Sequence, residues 1–260
     1  MRGLLKIKNS IKKFSNEDDS SSPVIKFKKY MLYATGEIIL IVIGILFALY
    51  LNNLNEIKKL RSAEIKVLKE IQTNLENTKD KFKYVLDTEE RYLKYNYMIL
   101  DYLDNKKPYS DSLDIAFGTY YWTMSSTPIT SGYEYLKSMG LDMIKNDTLR
   151  EKISFMFESD IKIIEADNEK WSNNLQLMIS LPYHVEHFEK YFPPNSTPGD
   201  DEYAKPIDYN FLLEDAKFKN INAELISTRR WIIYSFQEIM IRIDSLISEI
   251  KKEIDRLNKK

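Results

Sequence analysis

One stretch limits every fold open to this chain: Tyr30 to Glu56, reading YMLYATGEIILIVIGILFALYLNNLNE. From Ile38 to Leu51 no residue is charged. As a helix that run rises only about 21 Å, while a bilayer core is about 30 Å thick and takes roughly 20 residues to cross. A crossing helix must therefore begin near Met31, which puts Glu37 inside the hydrocarbon. Tyr30 and Tyr33 at one boundary and Tyr50 at the other suit the interfacial aromatic belt. No second span is expected, because Arg242, Asp244 and Glu249 break the other long apolar run.

Projected as a helix, Tyr33, Glu37, Gly44, Ala48, Asn52 and Asn55 share one face, and Ile39, Leu40, Val42, Ile43, Leu46 and Leu49 dominate the rest. Gly44 and Ala48 make a small-xxx-small pair, the spacing that lets two helix backbones approach. A carboxyl at mid-membrane costs roughly 2.5–3.5 kcal/mol, and less near the edge. Two readings of Glu37 stay open: a group that contacts or couples to a partner, and a tolerated carboxyl two turns inside the interface. Glu37, Gly44, Ala48 and Asn52 are the candidate residues for intramembrane self-association or coupling.

Tyr33-Ala34, Gly36-Glu37-Ile38, Val42 to Leu46, Ala48-Leu49, Asn52-Asn53 and Asn55-Glu56 resemble the span of an uncharacterised single-span membrane protein family of Bacteroidota, whose pattern is YA-x-GEI-x-L-x-VIGIL-x-AL-x-x-NN-x-NE. Leu54 stands where that family often has Trp, and Tyr50 where it often has Gln. A second island, Leu136 to Arg150 (LKSMGLDMIKNDTLR), is similar to the same family, with Met139 where Gly is frequent. The resemblance implies a membrane location and no activity.

Before the span, Leu4, Ile7, Ile11 and Phe14 fall at helical spacing among Arg2, Lys6, Lys8, Lys12 and Lys13, a basic amphipathic pattern suited to an anionic membrane surface. Ser15 to Pro23 is a polar linker. The segment reads as an uncleaved signal anchor, since no A-x-A-like site follows the apolar run. Basic residues near the span balance: Lys12, Lys13, Lys26, Lys28 and Lys29 before it, Lys58, Lys59, Arg61, Lys66 and Lys69 after it. The rest of the tail adds basic residues, and long following domains translocate largely regardless of charge. The expected topology is single-pass in the cytoplasmic (inner) membrane, with the N-terminus inside and the body in the periplasm. The expected divisions are a basic tail and linker over 1–29, a transmembrane helix over 30–52 and an extracytoplasmic helical bundle over 53–260.

Punctuation by Gly and Pro organises the body. Neither occurs between Ile45 and Lys107, between Leu141 and Leu181, or between Ile207 and Lys260, so three long helices fit those windows. The first continues from the span. Ile57, Leu60, Leu68, Ile71, Leu75, Phe82, Val85 and Leu86 lie near a 3.5-residue repeat, with polar interruptions at Glu64 and around Thr78; this predicts a packing face, and a coiled-coil neck is one form of it. Ser131-x-x-Glu134 predicts a capped helix ending at Gly140. Asn146 or Asp147 caps the next, which carries Leu149, Ile153, Met156, Phe157, Ile161, Ile164, Trp171 and Leu175 to about Leu181. The last, from about Asn222 to Leu257, returns antiparallel along the first. The fold class is thus all-α: one N-terminal transmembrane helix continuing into an elongated antiparallel bundle.

Chemistry is sparse. Charge is balanced at 38 basic and 39 acidic residues, without the basic excess of a nucleic-acid binder, and the absence of cysteine removes thiolate metal sites and disulfides. Phosphate-loop, dinucleotide and nucleophile-elbow patterns are missing. Both histidines, His184 and His187, lie near Glu186 and Glu189 but form neither H-E-x-x-H nor H-x-x-E-H; the expectation is a surface turn over Pro182–Pro206 with Phe188, Tyr191 and Phe192 pinned to the bundle. Tyr109, Phe117, Tyr120, Tyr121, Trp122, Tyr133 and Tyr135 either pack helix ends together or form a partner or ligand surface. No enzyme, cofactor or metal is expected. The expected partners are membrane lipid and a second copy or another membrane protein, in an interaction or scaffold role. The alternative is an envelope sensor with a distal site relayed through the span.

Overall fold

The computed structural model describes residues 23–194 and 202–259, and gives the backbone alone for residues 23–26 and 167–173. The basic amphipathic tail and the linker before Pro23 lie outside the described residues, as does the side chain of Trp171. The described residues are mostly helical, with one short hairpin and the loops between elements. It divides into two compact units, Met1–Leu60 and Arg61–Lys260.

The first unit contributes the opening part of α1, Pro23–Asp104, an uninterrupted helix of 82 residues. Proline suits the first turn, where its missing N–H costs no helical bond. Within the first unit the apolar side chains are exposed all round, with Leu32 at 79% and Leu40 at 72%. Among the described residues α1 alone is long and apolar enough to cross a membrane.

The second unit holds the rest of α1 and the remaining elements. These are α2 (Asp114–Thr119), α3 (Ser131–Met139), α4 (Asp147–Phe155), α5 (Ile161–Leu175), α6 (Leu181–His187), strands β1 (Phe188–Tyr191) and β2 (Tyr203–Pro206), α7 (Tyr209–Glu214) and α8 (Ala216–Asn258). α8 returns antiparallel to α1: Glu76 meets Lys251, Lys79 meets Asp244, Glu89 meets Arg229 and Asn96 meets Asn222. From Leu68 to Val85 the apolar stripe of α1 is buried in a core with Ile153, Phe157 and Ile232 to Leu257. Its cover therefore comes from this chain's own helices, whereas Ile57 and Leu60 in the first unit stay exposed.

The polar interruptions of that stripe are fastenings. Glu64 accepts the Lys145 backbone N–H at 2.9 Å, Asn74 that of Gly132 at 2.7 Å, Thr78 that of Ile129 at 2.9 Å and Glu89 that of Met124 at 2.5 Å. Asn96 donates to the Tyr120 carbonyl at 3.3 Å. All five side chains are buried. The segment Tyr120–Lys145 thus runs down α1 with five of its backbone polar groups met by buried α1 side chains, as buried N–H and C=O groups require.

Three expectations change. Ser131 is the first residue of α3, not its cap, and its hydroxyl donates to Asn74; the capping box fails because Asn74 already occupies the helix start. Asn146 does cap α4, and Gly140 ends α3 with φ 97°, a backbone open chiefly to glycine. Pro182–Pro206 is not an irregular surface turn. A π-helical turn, Gln176–Ser180, precedes Pro182, so the proline falls in the first turn of α6 and helix continues to His187. β1 and β2 then pair antiparallel from Phe188↔Pro206 to Tyr191↔Tyr203. The last helix begins earlier than expected, at Ala216, with the Asp215 carboxylate accepting from the Lys217 N–H.

Candidate functional site

The sequence-derived face lies on the first unit. Glu37, Gly44, Ala48 and Asn52 are exposed residues of α1, and a Cβ built at Gly44 would meet nothing within 4 Å. Their spacing stacks them along one side of the helix. The Asn52 amide donates to Glu56 at 3.3 Å, so it is partly engaged along its own helix. The face offers a small-residue surface on which a second backbone can seat closely.

Most of the aromatics between Tyr109 and Tyr135 are packed inside the second unit, in two separate apolar cores. Tyr120 is fully buried and touches Tyr121, His184, Phe188 and Phe218 at ring-centroid separations of 5.4–5.7 Å. Tyr133, also buried, stacks on Phe157 at 4.7 Å. Phe188 is buried with them, but Phe192 is 68% exposed, contrary to its expected place against the bundle. Its backbone has already left the hairpin, and nothing draws it back. Trp122 donates its indole N–H to Glu202 at 3.0 Å, and Lys190 lies over both Tyr121 and Trp122 while pairing with the same Glu202 carboxylate.

The histidines part company. His184 is 2% exposed, and neither ring nitrogen has a hydrogen-bond partner. Burial, with the Lys190 charge adding to it, pushes its pKa down to about 4. His187 instead stacks on Phe211 and packs at a tilt against Tyr183. Their surroundings share no ligand set, and no group of three metal-ligating side chains occurs among the described residues. Nearby, the Asp114 carboxylate accepts from the Tyr109 and Tyr191 hydroxyls. That bond holds the Tyr191 phenol up at about 12.

A groove that the sequence did not announce runs between α4 and α8. It encloses about 540 Å³ and is lined by Phe155, Met156 and Leu246 among others. Two ion pairs bridge its walls: Lys152 to Glu249 at 2.7 Å and Arg242 to Asp160 at 2.8 Å. Its lining includes both ends of a π-helical turn, Met156–Asp160. The signal available in sequence was Phe155, a large apolar residue off the helix's stripe, which is 59% exposed here.

The molecule so defined is a predominantly helical protein, with one helix among its described residues long and apolar enough to cross a membrane. Compared with known proteins, the chain matches no family model, no curated protein and no solved structure.

Proposed function

We propose that this chain is a single-span protein of the inner membrane, with its N-terminus in the cytoplasm and its helical body in the periplasm, acting as an interaction or scaffold module that self-associates. The observation that carries the reading is the exposed apolar stretch of α1: nothing in the described chain covers it. Lipid covers most of that surface, and a second copy takes the face bearing Glu37, Gly44, Ala48 and Asn52, where packing of small residues supplies the attraction that lipid-facing leucines lack. The resemblance to the single-span Bacteroidota family belongs to the same reading. The sensor alternative has less support, because the distal aromatics are packed on one another instead of lining a ligand site. Gly44→Leu and Ala48→Leu should each weaken self-association in a membrane two-hybrid assay, and Glu37→Gln should alter cross-linking without changing insertion. Full association in both leucine variants would refute the interface.

A further inference from the structure

The second unit contains two apolar cores with no residue in common. One joins Val67–Val85 of α1 to α3, α4 and Ile232–Leu257 of α8. The other, distal core joins Ile99 and Leu103 to α2, Tyr183, Phe188, Ala204 and Phe218–Leu225. Between them lies a buried polar layer: Thr88, Glu89 and Asn96 from α1, and Asn222 and Arg229 from α8. Arg229 donates to Glu89 at 2.5 Å, to Asn96 at 2.7 Å and to the carbonyls of Tyr120 and Trp122, and its guanidinium lies 5.0 Å from the Tyr92 ring centroid. Apolar contact, the main term welding a domain into one cooperative unit, is interrupted at this layer.

The distal core also holds a group unsuited to charge. The groups facing His184 are the Tyr120 and Tyr121 rings from the segment after α2, and Phe188 and Lys190 from β1, with Glu202 engaged by Lys190. On its own helix Tyr183 bonds Asp215 of the α8 cap, with Lys217 above its ring, and Glu186 turns to His187. No carboxylate or carbonyl hydrogen-bonds the His184 ring, and the charge that acts on it is the Lys190 cation. The chain's other histidine, His187, has the Glu186 carboxylate at 3.8 Å. With only two histidines in the sequence, the lower core contains none.

We propose that the distal core is a separately opening unit, bounded by the Glu89–Arg229 layer and released when His184 is protonated. The sign follows from linkage: an opened His184 takes its proton near pH 6.5 and the closed one only near pH 4, so closure is fully favoured above pH 6.5 and weakens as the pH falls from there.

The absence of cysteine makes single thiols clean probes. In the full chain in detergent micelles, Ala116→Cys reports on the distal core and Val85→Cys on the lower one, both positions being buried. Each labelling rate with a thiosulfonate, divided by that of free N-acetylcysteine at the same pH, is freed of the pH dependence of the thiol chemistry. At pH 7.5 Ala116→Cys should label about tenfold faster than Val85→Cys. The normalised Ala116→Cys rate should rise about fourfold at pH 6, and that rise should vanish in both His184→Phe and His184→Gln. Equal rates at the two positions, a normalised Ala116→Cys rate independent of pH, or a rise that survives either substitution overturns the proposal.

Discussion

Replacing Arg229 by methionine removes the centre of the polar layer while keeping its bulk. Glu89 then keeps one partner, the Met124 N–H, in a fully buried site. The Asn96 side-chain oxygen and the Trp122 carbonyl lose their donor, and the Tyr120 carbonyl keeps only the Asn96 amide. Breaking a buried pair from one side costs about 3–5 kcal/mol, because the remaining charge is stranded. For a body of this size that is a fall in Tm of roughly 6–20 °C. Glu89→Met should cost a similar amount, since it strands the guanidinium. The double variant removes both charges and leaves only neutral groups short of partners, at about 1–3 kcal/mol each. Its cost should therefore fall at least about 2 kcal/mol below the sum of the singles. Urea unfolding followed by circular dichroism, with unchanged slope, measures all three. Additivity within about 0.5 kcal/mol would mean the two charges do not sense each other, and the description of the layer would fail.

Gly118→Ala tests the seat of the hairpin. A Cβ there would stand 1.9 Å from the Glu202 carbonyl oxygen and 2.4 Å from its carbon, so β2 must move off α2. The expected loss is about 1–3 kcal/mol, with altered Trp122 fluorescence as its indole bond to Glu202 breaks; an unchanged spectrum and Tm would refute that packing. Lys106→Gly tests the end of α1. Lys106 has φ 45°, and the Lys107 N–H reaches back to the Tyr102 carbonyl at 3.0 Å, the arrangement that favours glycine. Relief of the left-handed strain should outweigh the added freedom of the unfolded chain, and the exposed pair with Glu214 is worth little. A gain of about 0.5–1 kcal/mol in urea stability is expected, and a loss would contradict the strain.

The long helices were legible because Gly and Pro leave three wide windows and apolar residues recur at helical spacing within them. The antiparallel return of α8 followed from its broad apolar face. Glu64 and Thr78 were legible only as flaws in a stripe, since their partners are backbone amides 81 and 51 positions along the chain and backbone amides carry no residue code. Pro182 pointed to a break, yet a π-helical turn just before it moved the proline into a first turn. His184 sat in a supposed surface turn, and nothing in PYHVEHFEKYFPP distinguishes it from His187; burial against Tyr120 and Phe188 does. The groove depends on α4 lying beside α8, a tertiary fact. The alignment of Glu37, Gly44, Ala48 and Asn52 along one side of α1 needed only helical projection; their part in association stands as the proposal above.

The fastening of Tyr120–Lys145 to α1 has a consequence for how this protein can vary. Four of the five fastenings take a backbone N–H and the fifth a backbone carbonyl, so the strap's course is spelled out in α1 and not in the strap. Ser125, Thr127 and Tyr135 are surface residues and are open to exchange without rerouting the chain. Glu64, Asn74, Thr78, Glu89 and Asn96 are not: each change there releases one peptide group of a segment whose own residues are untouched. An engineer wishing to vary the strap would therefore work at its exposed positions, keep its buried Tyr120, Tyr133 and Leu136 and its Gly132 and Gly140, and leave one face of a helix alone.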